Sequence, residues 1–201
     1  MVYLAHIPEQ IESPRLLLRA PRNNDGALVN AGVKESLTEL RPWMPWAREG
    51  QTIAESETYA RESALRFRTR EELNYLLFRK GDGEYLGNLG LHTIAWDVPR
   101  FEIGYWIRTS MVGHGYMTEA VTTLSALAFS VLGAKRVEIR CDSHNLRSAK
   151  VAERVGYQLE VKMRWQSRNP QGELRDTLVY VMFSDTQTEE ITKAASLLTD
   201  L

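Results

Sequence analysis

WIRTSMVGHGYMTEA, residues 106–120, sets two glycines around a histidine at the junction of a strand-like run and a helix-like one. Residues 101–108 read as the strand. Residues 115–132 place Met117, Ala120, Val121, Leu124, Leu127, Ala128 and Val131 on one face of an amphipathic helix, which Gly133 closes. A helix N-terminus carries N–H groups without partners and a partial positive charge. Glycines just ahead of it let a phosphate approach the backbone. Gly113-His114-Gly115 is therefore either an anion cradle or a plain turn that needs positive φ. It is neither a P-loop nor a dinucleotide fingerprint: GxxxxGK[ST] and the third glycine of GxGxxG are both absent.

Outward from this junction the chain reads as follows. Upstream come a strand at 15–20, the turn PRNNDG, a helix at 27–40, an irregular apolar loop RPWMPW (41–46) and a helix at 52–68. Strands at 74–80 and 85–96 flank Gly81-Asp82-Gly83, a strong hairpin turn. Downstream, 136–142 alternates Val137, Ile139 and Cys141 with Glu138, Arg140 and Asp142. A helix at 146–155 ends at Gly156, and strands at 157–166 and 176–183 join through NPQG. The last ~15 residues are polar to mildly helical and read as a peripheral tail. The order predicts a mixed α/β fold, one domain over 1–201, with a single β-α-β crossover in its middle.

Composition bounds the function. The 25 basic and 26 acidic residues nearly cancel, which argues against a general nucleic-acid binder. Cys141 is the single cysteine and cannot form an internal disulfide, so a reducing, cytoplasmic compartment is expected. MVYLAHIPEQIESPR lacks a basic head followed by a long apolar stretch, so no signal peptide is expected. No apolar run approaches the ~20 residues that span a membrane. No His/Cys/Asp/Glu cluster has metal-ligand spacing, so no metal is expected.

Residues 104–107 (GYWI) through 113–120 (GHGYMTEA) resemble motif A of the GNAT acyltransferases, and 145–157 (NLRSAKVAERVGY) resemble their second core signature. PRLLLR (14–19) and LRPWMPW (40–46) resemble the branch of ribosomal-protein N-terminal acetyltransferases of the RimJ/RimL type. The resemblance covers most of 14–184. It departs at two positions: Val112 stands where the family has Gln or Arg, and Met117 where it has Gly or Ala.

The resemblance implies the GNAT fold, a mostly antiparallel twisted sheet with two splayed parallel strands and flanking helices. Acetyl-CoA would lie in the V between strands 101–108 and 136–142. Its pantetheine arm would pair with backbone near Ile107, Arg108 and Thr109, as an added strand does. Its diphosphate would sit on the N–H groups of Val112, Gly113, His114, Gly115, Tyr116, Met117 and Thr118. Backbone N–H near Tyr105 would hold the thioester oxygen. Many relatives carry a proton-donating tyrosine seven residues after the capping Asn; here that position is Ala152, and Ser148 matches the serine of the RimL-like branch. Ser148 is thus expected to hydrogen-bond the leaving thiolate, and Asn145 to cap the helix beside the cofactor.

Glu102 is the expected general base, with Glu138, Glu160 or water as rivals. Cys141 reads as a small buried residue that relatives place near the CoA sulfur. Trp43, Trp46 and His92 are expected to border the acceptor. The RimJ/RimL-type resemblance implies a protein N-terminal α-amine, ribosomal-protein-like, as the acceptor; the alternatives are a small-molecule amine (an antibiotic, polyamine or amino acid) and a non-catalytic acyl-CoA sensor. A homodimer through the last two strands is also open.

Overall fold

The structure, a computed structural model, describes residues 6–47 and 50–198. Eight strands form one sheet: β1 (Gln10–Glu12), β2 (Leu16–Arg19), β3 (Leu73–Arg79), β4 (Tyr85–Ala95), β5 (Arg100–Ile107), β6 (Arg136–Asp142), β7 (Gln158–Arg168) and β8 (Leu174–Phe183). Their spatial order is β1-β2-β3-β4-β5-β6-β8-β7. Every neighbouring pair is antiparallel except β5 and β6. Five helices flank the sheet: α1 (Gly26–Leu40), α2 (Ile53–Thr69), α3 (Tyr116–Ser130), α4 (Leu146–Val155) and α5 (Glu189–Leu198).

Local signals account for most boundaries. Thr52 and Glu55 form a reciprocal capping box at the start of α2, and Arg70 ends that helix with φ 61°. The β3–β4 hairpin turns through Gly83 at φ 72°, with the Arg79 N–H donating to the Glu84 carbonyl. Asn145 caps α4, whose last turn closes on Gly156 at φ 99°.

Strand alternation then divides the core. On one face, Phe101, Ile103, Val137 and Ile139 are buried together with Val121, Leu124 and Leu127 of α3 and Ala149 and Ala152 of α4. On the other, Trp106 and Tyr85 pack with Val29, Val33 and Leu40 of α1. Each fully buried Leu, Val or Phe side chain contributes about 1.5–3 kcal/mol of transfer free energy, so the larger cluster anchors β5 and β6.

Three features differ from the sequence reading. β1 is an added edge strand of three residues, too short to show periodicity. β7 and β8 are longer at the NPQG end, and β7 forms the far edge of the sheet with Leu159, Val161, Met163 and Trp165 exposed. The tail, expected to be peripheral, forms α5, which lies on α3 with Ile191 fully buried. Residues 1–5 and 199–201, at the ends of the expected domain, lie outside the described residues. Among the described residues no helix is long and apolar enough to cross a membrane.

Candidate active site

β5 and β6 pair over only three residues, Arg100–Glu102 against Arg136–Glu138. Beyond Glu102 they part, β5 remaining with β4 and β6 with β8. The Arg108 N–H donates to the Leu86 carbonyl of β4. In an antiparallel ladder such residues alternate, so Ile103, Tyr105 and Ile107 turn their backbone groups toward the gap. A cavity of about 870 Å³ fills this gap. Tyr105 and Ile107 line it from β5, Ile139 and Cys141 from β6, Asn145 and Ser148 from α4, and Gly113, Gly115 and Met117 from the turn and first residues of α3.

The turn holds two left-handed glycines, Gly113 at φ 91° and Gly115 at φ 76°. Gly115 is the N-cap of α3, and no side chain caps that helix. Its first N–H groups thus face the cavity without a side-chain acceptor. Thr109, Val112, Tyr116 and Thr118 also line the space. Met117, the bulk expected at the helix start, is 6% exposed and belongs to the core beneath.

Two residues expected at the cofactor turn their side chains away from it. Arg108 points toward α1, where its guanidinium meets Glu35 at 2.5 Å, Glu84, and the Tyr85 carbonyl at 2.7 Å. With its N–H on β4 as well, it offers the gap no donor. The His114 ring stacks on Tyr116 at 5.6 Å, outside the cavity, and its carbonyl accepts from Arg15 Nη1, while its backbone stays in the turn between Gly113 and Gly115.

At the second helix, the Asn145 side chain accepts the Ser148 N–H at 3.1 Å. That leaves the Ser148 hydroxyl free of capping. It meets the Tyr105 hydroxyl at 3.0 Å, and Tyr105 also donates to the Ser148 carbonyl at 3.0 Å. Sequence reasoning placed Tyr105 here through its backbone and missed its phenol. The signal was its alternation with Phe101 and Ile103, which aims the ring at α4. Ala152 is fully buried, so β5 brings a phenol to this end where α4 has none. Burial raises the Tyr105 pKa, keeping the phenol protonated. Cys141 neighbours Ser148. Burial pushes its thiol up to about 11, the Ser148 hydrogen bond opposing, so it is a thiol at neutral pH.

Glu102 projects from the opposite face of β5, toward α1. Its side chain is 17% exposed, with His92 Nε2 at 3.9 Å and Arg140 Nε at 3.5 Å. Burial raises its pKa, although His92 and Arg140 oppose this. Gly104 lets His92 lie across the strand: a Cβ there would stand 2.7 Å from His92 Nε2. The rival carboxylates are occupied. Burial pushes Glu138 up, but bonds from Arg136 at 2.6 Å and Arg140 at 2.8 Å outweigh it and hold the group below its usual range. Glu160 is exposed and forked to Arg136 at 2.7 and 2.5 Å. Trp43 and Met44 line the cavity on this side. Trp46, expected beside them, does not; it is 41% exposed and packs on Trp106 at 6.1 Å. Gln166, Arg175 and Thr177, not expected from sequence, complete the wall from β7 and β8. Among the described residues, no three His, Cys, Asp or Glu side chains are grouped to hold a metal ion.

Comparison with known proteins agrees with this geometry. "Putative ribosomal N-acetyltransferase YdaF" of Bacillus subtilis (strain 168) is 37% identical over 83 residues, 41% of this chain but only 45% of that relative. "Uncharacterized N-acetyltransferase YoaA" of the same organism is 26% identical over 171 residues, 85% of this chain and 94% of that one. Among solved structures, RimL, a ribosomal L7/L12 alpha-N-protein acetyltransferase in complex with coenzyme A through a CoA–cysteine disulfide, superposes with a TM-score of 0.83. It shares 24% identity over 89% of this chain and 100% of that one, a likeness of fold. Residues 15–158 match the family described as Acetyltransferase (GNAT) domain, and with most of its length inside that match the chain belongs to this family of N-acetyltransferases.

Proposed function

We propose that this protein transfers the acetyl group of acetyl-CoA to a primary amine, and that the amine is the N-terminal α-amine of a protein. The observation that carries the first part is the gap between β5 and β6, with the unpaired edge of Ile103–Ile107 on one side and the uncapped, glycine-led N-terminus of α3 at its end. An extended thioester arm fits the edge, and a diphosphate fits the helix N-terminus.

The chain's residues divide the reaction between the two faces of the sheet. On the α1 face, Glu102 accepts the proton of the attacking amine, directly or through water, and its raised pKa suits a base. The outward N–H of Tyr105 steadies the thioester oxygen. On the α4 face, the carbon–sulfur bond breaks and Ser148 gives its proton to the departing thiolate. As that proton leaves, the Tyr105 phenol turns its own proton from the Ser148 carbonyl to the Ser148 hydroxyl oxygen, passes it on, and is replenished from solvent. Cys141, protonated at neutral pH, is a poor nucleophile, which favours direct transfer to the amine.

The N-terminal α-amine is supported by Trp43 and Met44, which line the cavity with Glu102, and by the names of RimL and YdaF. One buried cysteine and the lack of a membrane-spanning helix among the described residues fit a cytoplasmic enzyme. The test is calorimetric titration with acetyl-CoA, CoA and ATP, followed by mass spectrometry of peptides with free or blocked N-termini. Acetyl-CoA binding far above ATP, with acetylation only of free N-termini, is the expected result. Transfer to small amines alone would replace the acceptor. Binding without any turnover would make the protein an acyl-CoA sensor.

A further inference from the structure

Arg15 does not line the cavity, yet it touches the cradle at every level. It stands one residue before β2. Its Nη1 donates to the His114 carbonyl at 3.0 Å, inside the glycine turn. Its Nε donates to Glu119 Oε2 at 2.6 Å, and its backbone N–H to Glu119 Oε1 at 2.9 Å. Its guanidinium lies 4.8 Å from the centre of the Tyr116 ring. Ser13 Oγ adds a bond to Glu119 Oε1 at 2.7 Å.

Glu119 gives this arrangement a purpose. It is the acidic residue in the first turn of α3. A carboxylate there favours the bare helix, but it competes with any second anion for the same N-terminal charge. Burial raises its pKa, yet the bonds from Ser13 and Arg15 outweigh this and keep Glu119 ionised. Arg15 and Ser13 together occupy both oxygens of that carboxylate, and the guanidinium offsets its charge. The same guanidinium fixes the carbonyl between the two left-handed glycines.

We infer that Arg15 is a positioning residue for the phosphates of acetyl-CoA, acting through the His114 carbonyl and Glu119. The inference rests on the acetyl-CoA reading of the cavity, and its test separates the two. Arg15→Gln, Arg15→Lys and Arg15→Gln/Glu119→Gln are compared with the unmodified protein on acetyl-CoA and on S-acetylpantetheine, which has no phosphate. Lys162→Ala, which removes an exposed pair with Asp176 at the far edge of the sheet, is the control. Amide hydrogen exchange is followed on the ligand-free proteins.

Arg15→Gln removes both guanidinium bonds and is expected to raise the Kd and KM for acetyl-CoA about tenfold, with kcat within about twofold. Its kcat/KM on S-acetylpantetheine should stay level. Exchange should quicken over residues 112–118 and not at the N-termini of α2 and α4. Arg15→Lys should fall between, and adding Glu119→Gln should recover part of the affinity. Equal losses on both acyl donors would overturn the inference by showing a general structural role; unchanged affinity and exchange would overturn it outright. An unmodified protein that fails to bind acetyl-CoA would remove the site reading and the phosphate role with it, and the exchange data would still decide whether Arg15 sets the turn.

Discussion

The N-termini of α3 and α4 border the same gap and are finished in opposite ways. At α4, Asn145 accepts the Ser148 N–H, so the backbone is satisfied and a hydroxyl is left over. At α3 the cap is a left-handed glycine without a side chain, so the backbone is left over and no reactive side chain is offered. A helix end can hold an anion or carry a chemical group on a fixed frame, and here neighbouring helices do one each. Binding and proton transfer are therefore separable by substitution.

The sharpest attempt to break this division is Gly115→Asp. It forces a side chain onto a φ of 76° and puts a carboxylate on the donors of α3. Acetyl-CoA affinity should fall about 100-fold or more, ~2.7 kcal/mol, in a calorimetric titration. Ser148→Ala should do the reverse: kcat lower by about 100-fold, with the acetyl-CoA Kd within about twofold. An unchanged kcat would take Ser148 out of the reaction. Tyr105→Phe keeps the buried ring and removes only the hydroxyl, so kcat should drop about tenfold, and the double variant with Ser148→Ala should be no slower than Ser148→Ala alone.

Glu102 gives a pH test of the other face. Since its pKa is raised by burial, the acid limb of kcat/KM should lie above the ordinary carboxylate range, and Glu102→Gln should lower the rate and flatten that limb. The sign for stability is the opposite of a salt-bridged carboxylate. A raised folded pKa favours the protonated form, so its stabilisation is full below the unfolded pKa and lost as pH rises through the folded one. Glu102→Gln should thus melt higher than the unmodified protein at neutral pH, with the gap closing in acid. The smallest functional effect belongs to a third helix end. Thr52→Ala breaks the capping box of α2 and should cost about 1 kcal/mol in denaturant unfolding, with kcat and KM unchanged.

The uneven legibility of the chain follows the range of the forces involved. Periodicity and caps act over a turn or two, so α1–α4 and the sheet strands from β2 onward stand close to where sequence puts them. β1 rests on Ile11 alone and is made by pairing with β2. The glycine turn was legible because positive φ is a local demand. The direction of Arg108 was not, because it is set by Glu35, 73 residues away in the chain. The Tyr105–Ser148 contact spans 43 residues and depends on how α4 settles against β5. Among the carboxylates, sequence set Glu102 first by its strand alone; what separates it from Glu138 is long-range, since Arg136 and Arg140 both bond Glu138 closely while Glu102 has His92 and a more distant Arg140.

The three-residue pairing of β5 with β6 has a mechanical consequence. Within the sheet, the β1–β5 half and the β6–β8 half are stitched by backbone at one short seam, while the helices above bridge them through side chains. A ligand arm lying along β5 would replace the missing rungs. Occupancy should then register as a change in how the two halves unfold: separable steps when empty would merge into one sharper, higher transition when filled. The protein's melting curve would be a gauge of its own cosubstrate.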